Sequence, residues 1–329
     1  MNQSAVVDCD AAPRNLWAVD LAPRTDSVLR EVLDGLSRPR KELPPKLFYD
    51  RRGAELFTAI CSTRAYYPTR TENGILDRRA GEIAQTIGRG SALIEFGAGE
   101  IQKVRRLLPA LRPDTYAALD ISRDQLLCAS ASLALDFPWL SVIAVVGDYQ
   151  SPLESELRLP AAARRVVFFP GSTIGNFEPS HAEAFLARAR SLVGREGGVL
   201  IGVDLLKPVE RLNLAYNDPE GFTAAFNLNL LVRLNRELGA DFDVSAFAHE
   251  AFYNRELARI EMHLRSVRGQ RVRIGPSVFS FSAGETIHTG NSYKYSPEGF
   301  SAMARRAGFQ ASRLWPDPER LFGVFFLSN

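Results

Sequence analysis

The residues best placed for chemistry surround a glycine turn. The stretch SALIEFGAGE, Ser91 to Glu100, stays apolar for the length of a strand, reaches Glu95 and breaks into Gly97 and Gly99. A buried parallel strand ended by Gly-x-Gly allows a tight turn and lets a ligand approach bare backbone. Lys103 follows in IQKVRRLLPAL, whose leucines recur at helical spacing. Asp120 ends a second strand-like run, DTYAALDIS, about twenty residues beyond the turn, where a carboxylate at a strand tip can accept from both hydroxyls of a ribose. After a third run, Ser141 to Val146, Asp148 can accept from an adenine amino group, with Tyr149 beside the ring.

A strand, glycine turn, helix and distal acid serve two kinds of cofactor. A dinucleotide site needs a third glycine, so that backbone amides at the helix start can hold a pyrophosphate. The third position here is Gln102, which weakens that reading. An acid directly before the turn suits S-adenosylmethionine, whose ammonium and sulfonium are cationic and which carries no phosphate. The bland alternative for each residue alone is an ordinary strand-end turn; Gly97, Gly99, Asp120 and Asp148 together favour the cofactor.

The elements that must hold these residues are those of a doubly wound α/β sheet. Arg165 to Phe169 reads as a fourth strand, ending in PGSTIGNFEP, and EGGVLIGVDLL as a fifth, with a helix from His181 to Leu192 between them. Strands alternating with helices give a parallel sheet with right-handed crossovers. Upstream, Arg24 to Ser37 has helical periodicity, and Pro44 and Pro45 forbid a helix where they stand. Gly53 to Ile60 forms a short helix, Arg64 to Arg70 a loop with adjacent tyrosines, and another helix starts near Thr71 with Glu72 in its first turn. Beyond Lys207 the pattern changes: mostly helical to His249, then antiparallel strands at Arg259 to Val267 and Ser277 to Phe281, a helix from Ser296 to Ala307 and a closing strand from Phe322 to Leu327. The expected domains are an N-terminal helical segment packing on the core over 1–65, a core over 66–206 and 293–329, and a smaller α+β substrate domain inserted over 207–292.

The 329 residues suffice for a sheet domain and a second, smaller one. A formal charge of +2 gives no reason to expect nucleic acid, and no run approaches membrane-spanning length. Cys9, Cys61 and Cys128 lack any metal-binding spacing and read as reduced thiols of a cytoplasmic protein. The first dozen or so residues are expected to be disordered.

From Leu43 to the end the chain resembles the L-histidine Nα-methyltransferase family, the hercynine-forming enzymes of ergothioneine biosynthesis. LFYDRRGAELF, AYYPTRTE, EFGAGEIQKVR, FFPGSTIGNF, AYNDPEGFTAAFN, RIEMHLRS and FSAGETIHTGNSYKYS carry the resemblance. It implies a class I, Rossmann-like S-adenosylmethionine-dependent methyltransferase with an added substrate domain, acting on a small molecule; the chain is expected to be a monomer. The implied reaction is three successive methyl transfers to the α-amine of a free amino acid, L-histidine giving hercynine. By the same resemblance, Asn176 and Tyr216 hold the substrate's carboxylate and amine, with Tyr66 near the amine. Tyr49 and Phe57 close over the substrate, Thr223, Phe226 and Met262 line its pocket, and Lys103 belongs to the cofactor loop. Each has a bland counterpart: Asn176 could cap the next helix, Met262 fill a core, and Tyr216 lie on the surface.

In one place the chain departs from the family pattern. The imidazole is recognised there by a glutamate and a serine two residues later; the serine is Ser292, but the glutamate falls on Gly290. A carboxylate paired with a ring N–H in a closed pocket is worth roughly 1.5 to 3 kcal/mol. Its loss, and the volume glycine frees, open the same chemistry to another amino acid such as tryptophan. Glu285 or Asn291 could compensate. A nicotinamide-dependent oxidoreductase and a non-catalytic S-adenosylmethionine-binding relative are the rivals from other classes.

Overall fold

The computed structural model describes residues 13–21, 25–148, 159–160 and 164–329. The disorder expected at the N-terminus and the placement expected for Tyr149 lie outside these residues. The chain divides into two compact units. The first comprises the described residues of Met1–Ala22, Pro68–Leu206 and Lys294–Asn329, the second those of Pro23–Tyr67 and Lys207–Tyr293. Among the described residues no helix is long and apolar enough to cross a membrane.

The first unit is built on a single sheet. Its strands are β1 (Leu16–Asp20), β2 (Ala92–Phe96), β3 (Thr115–Asp120), β4 (Ser141–Val146), β5 (Arg165–Phe169), β6 (Gly198–Asp204), β12 (Ala311–Pro316) and β13 (Phe322–Ser328). They lie in the order β1-β4-β3-β2-β5-β6-β13-β12. The run from β1 to β6 is parallel, and β13 enters antiparallel to β6 with β12 antiparallel beside it. Strands buried on both faces must be apolar throughout, which explains why β2 and β4 read as continuous apolar runs. The sequence reading missed β1: its five residues sit on the sheet edge, mostly half-buried, and carry no run of that kind. Helix α3 (Tyr67–Ile87) begins before the expected Thr71, because Pro68 stands in its first turn, where a missing N–H and a fixed φ cost nothing.

The second unit differs from the expected domains. Residues 23–67 group with residues 207–293 in one unit. Helix α2 (Arg51–Ser62) explains why. Asp50 caps it, accepting from Gly53 N at 2.7 Å, and also accepts from Asn229 (2.8 Å) and Arg236 (2.7 Å) of helix α9 (Phe222–Leu238). Gly53 is required there, since a Cβ would lie 1.6 Å from the Phe48 carbonyl oxygen. The stretch to His249 is mostly helical as expected, with α9 ending at Leu238. Strand β7 (Phe247–Asn254) pairs with β8 (Arg259–Ser266), which pairs with β11 (Thr286–Tyr293). Strands β9 (Gln270–Ile274) and β10 (Ser277–Phe281) form a separate hairpin, so the two strands read as antiparallel lie in different sheets.

Candidate active site

In the first unit, parallel topology delivers the tips of β2, β3 and β4 to one edge, and with them Gly97, Gly99, Asp120 and Asp148. Gly97 and Gly99 have φ of 71° and 52°, the left-handed region that glycine occupies without penalty. The N–H groups of Gly97 and Ala98 donate to the Leu119 carbonyl at 2.8 and 3.1 Å, fastening the turn to the end of β3. Asp120 is 8% exposed; one carboxylate oxygen accepts from Gly99 N and the other from Ser122 N, both at 2.8 Å. A carboxylate has about four acceptor sites, so capacity remains for ribose hydroxyls. Nothing lies within 4 Å of where a Gly99 Cβ would stand, and the turn is open to a ligand lying against backbone. These residues fit an adenosyl group.

Glu95 does not behave as the sequence suggested. Alternation along β2 turns it into the core, where it accepts from the Tyr116 hydroxyl at 2.6 Å and is 1% exposed. Burial pushes its carboxyl up to about 8, so at neutral pH it offers no negative charge to a cationic donor.

Lys103 is also committed. Its ammonium lies 2.6 Å from the Glu72 carboxylate, which accepts from Gly171 N at 2.9 Å as well. A side chain at Gly202 would meet Glu72 Oε1 at 2.0 Å, so β6 has a glycine where the carboxylate needs room. Sequence reasoning gave Glu72 only a helix-start role; in fact this fully buried acid ties the cofactor-turn helix α4 (Gln102–Arg105) to the loop after β5. That loop ends in a single tight turn, Thr173–Asn176, and is also anchored by the Asp204 N–H donating to Ser172 Oγ at 2.9 Å. Asn176 does not cap the following helix α7 (Pro179–Val193), whose first residues carry no side-chain cap. The bland reading of Asn176 therefore fails.

The second unit gathers the aromatic candidates. Phe48 stacks on Phe226 at 4.5 Å and 17°, Tyr49 meets Phe226 and Phe57 edge-on at 5.9 and 5.8 Å, and Phe57 meets Tyr66 at 6.2 Å. Tyr66 in turn meets Tyr216, the last residue of helix α8 (Val209–Tyr216), at 6.2 Å. Tyr216 donates to Ser292 Oγ at 2.7 Å. A register shift in β11 between His288 and Gly290 sets Gly290 opposite Met262; a Cβ there would touch Met262 Cε at 3.4 Å and Phe48 at 3.5 Å. Thr223, also assigned to the pocket wall, is buried in the first turn of α9, where its N–H donates to Asp218.

A buried polar chain that sequence reasoning missed holds this wall. Thr289 donates to Asn227 Oδ1 (2.8 Å), Asn227 Nδ2 contacts His249 Nδ1 (2.9 Å), and His249 Nε2 reaches the Tyr216 carbonyl (2.9 Å). A carbonyl only accepts, so His249 carries its proton on Nε2, and burial lowers its pKa and keeps the ring neutral. Neither proposed substitute for the missing glutamate is available. Glu285 is bound by Lys41 and Ser282 N, and Asn291 accepts from His288 on the opposite face of the sheet.

Strand order, the antiparallel β13 beside β6 and the turn after β2 make the first unit a class I S-adenosylmethionine-dependent methyltransferase fold. The sequence profile of the histidine-specific, SAM-dependent methyltransferase family matches residues 28–329, and the chain belongs to that family. It is an S-adenosylmethionine-dependent N-methyltransferase. It is similar to histidine N-alpha-methyltransferases of Mycolicibacterium smegmatis (39% identical over 94% of this chain and 97% of that one) and Mycobacterium tuberculosis (40% over 90% and 92%). It is also similar to a 4-dimethylallyltryptophan N-methyltransferase of Aspergillus fumigatus (27% over 89% and 91%).

Proposed function

We propose that this chain methylates the α-amine of a free amino acid with a flat aromatic side chain, repeatedly, to the trimethylated betaine. The observation that carries the proposal is the ring of Phe48, Tyr49, Phe57, Tyr66, Tyr216 and Phe226 beside Gly290. Its polar equipment is the Tyr216–Ser292 hydroxyl pair, with no carboxylate at position 290. The histidine enzymes among the relatives support L-histidine, giving hercynine, as acceptor. Gly290 favours an apolar ring such as indole, and the relative acting on a tryptophan derivative supports that second reading.

Bound S-adenosylmethionine supplies an electrophilic methyl on a sulfonium. Gly97, Gly99 and Asp120 would hold its adenosyl part and Asp148 the adenine, and Lys103 with Glu72 fixes the helix that follows the turn. Asn176 donates its carboxamide N–H to the substrate carboxylate. The α-ammonium must lose a proton before it can react; crowding it among Tyr66, Tyr216 and Phe226 removes water and lowers its pKa, and a tyrosine oxygen accepts its N–H. As methyls accumulate the cation becomes permanent, and aromatic faces hold it by roughly 0.5 to 2 kcal/mol each. A panel of free amino acids mixed with the donor and read by mass tests the proposal: three methyl increments on histidine or tryptophan support it. Addition to a side chain, or to no amino acid, overturns it.

A further inference from the structure

The face of β8 and β11 opposite Met262 and Gly290 carries a second constellation, in which Glu261, His263 and His288 each offer a donor atom within 4.8 Å of the other two. We propose that these three side chains bind a divalent transition-metal ion of zinc type, which locks the strand pair whose other face shapes the acceptor pocket. His263 and His288 are direct cross-strand partners, with ring centroids 5.1 Å apart, and Glu261 lies two residues along β8 on the same face.

The surroundings are those of oriented ligands. Glu261 receives Arg259 Nε and Asn254 Nδ2 on the same oxygen, Oε1, both at 2.9 Å, and turns Oε2 to His263 at 3.2 Å. Hydrogen bonds that fix a carboxylate in this way are what aim a ligating oxygen at a metal. His288 Nε2 is 2.9 Å from Asn291 Oδ1; a carboxamide oxygen only accepts, so the proton sits on Nε2 and Nδ1 keeps its lone pair. Phe252 stacks on His263 at 5.5 Å and 8°, fixing that ring. With Nε2 turned to Glu261, His263 Nδ1 is buried and has no hydrogen-bond partner among the described residues. An ion shared with Glu261 would meet the ring at Nε2, with the ring proton on Nδ1.

Two imidazoles and a carboxylate suit zinc, nickel or copper; magnesium and calcium demand oxygen donors. Three protein ligands leave a coordination position for water. The ion would lie behind the irregularity that sets Gly290 opposite Met262, so its effect on the pocket is one of rigidity and not of contact.

The test titrates zinc chloride into the full chain, stripped with chelator, by calorimetry, and repeats the titration with cobalt(II) followed by visible absorption. One ion per chain at micromolar affinity or better, with cobalt bands of nitrogen ligation and no binding of magnesium, is the expected result. His263→Ala and His288→Ala should each weaken zinc by about ten- to a hundredfold. Hydrogen exchange in residues 259–266 and 286–293 should slow on zinc addition in the native chain, a measurement that needs no variant to fold. Absence of saturable zinc binding, native affinity retained in both variants, or protection outside these strands overturns the proposal.

Discussion

The two units approach recognition by opposite means. In the first, the candidate donor site is made of backbone: a turn of left-handed glycines, N–H groups tied to Leu119 and to Asp120, and a carboxylate at a strand tip. In the second, the candidate acceptor site is made of side chains, with rings from α2, α8, α9 and the segments before α2 and α3 meeting around one glycine. A backbone site is set by topology and tolerates drift in sequence. A side-chain site changes its ligand when one residue changes. The constant part of the chemistry would then reside in the sheet unit, and the choice of acceptor in the other.

The comparison breaks most severely if the backbone site depends on one side chain. Glu72→Ala removes the counter-charge of Lys103 and the acceptor of Gly171 N, both within the sheet unit. Stranding a mostly buried cation costs on the order of 3 to 5 kcal/mol. Denaturant titration is expected to show that loss of stability, together with weakened S-adenosylmethionine binding by calorimetry. Unchanged donor affinity would show that the turn holds its shape without this anchor.

Asn176→Ala comes next. An unpaired substrate carboxylate should lower kcat/KM by on the order of a hundredfold for every α-amino acid, whatever its side chain. Steady-state kinetics on histidine and tryptophan should fall in parallel. A selective fall on one of them would mean that Asn176 reads the ring and that polar and aromatic recognition are not separate.

Gly290→Glu sharpens the comparison on the other side. The Cβ would make ordinary contacts with Met262 and Phe48, so the variant should fold. A carboxylate there should raise the preference for histidine over tryptophan by about ten- to a hundredfold, the worth of a charge-assisted hydrogen bond, and leave donor affinity unchanged. Competition between the two amino acids, read by product mass, measures the shift. No shift, or one toward tryptophan, would remove Gly290 from the specificity determinants.

The same contrast decides what was legible in the sequence. Gly97, Gly99 and Asp120 were readable because strand, turn and distal acid follow each other along the chain, and parallel pairing leaves little choice about where strand tips go. The aromatic residues carried no periodic signal; the resemblance gave roles to all of them but Phe48, which only the stacking on Phe226 brings in. What joins Tyr49 and Phe57 to Phe226 is Asp50 meeting Asn229 and Arg236, a pairing across some 180 residues that no local pattern announces. Strand β1 was lost for want of a buried run, and strand β7 because it is half-buried and irregular in pattern. Glu95 was misread because its place before the glycines suggested a ligand, whereas alternation turned it to Tyr116.

That misreading yields an effect that shows only as a pH dependence. The folded-state value of Glu95 is raised to about 8 and its unfolded value is near 4.5, so between these limits the folded chain binds the extra proton. Stability therefore falls as pH rises through that window, by at most about 1.4 kcal/mol per pH unit, is unaffected below it, and levels off above it. Glu95→Gln keeps an acceptor for the Tyr116 hydroxyl and cannot ionise. Melting curves from pH 5 to 9 should converge for the two proteins at the acid end, with the variant more stable at the alkaline end. Parallel curves would mean that Glu95 is ionised in the fold after all, and the sheet unit would then carry the buried negative charge beside the turn that the sequence first suggested.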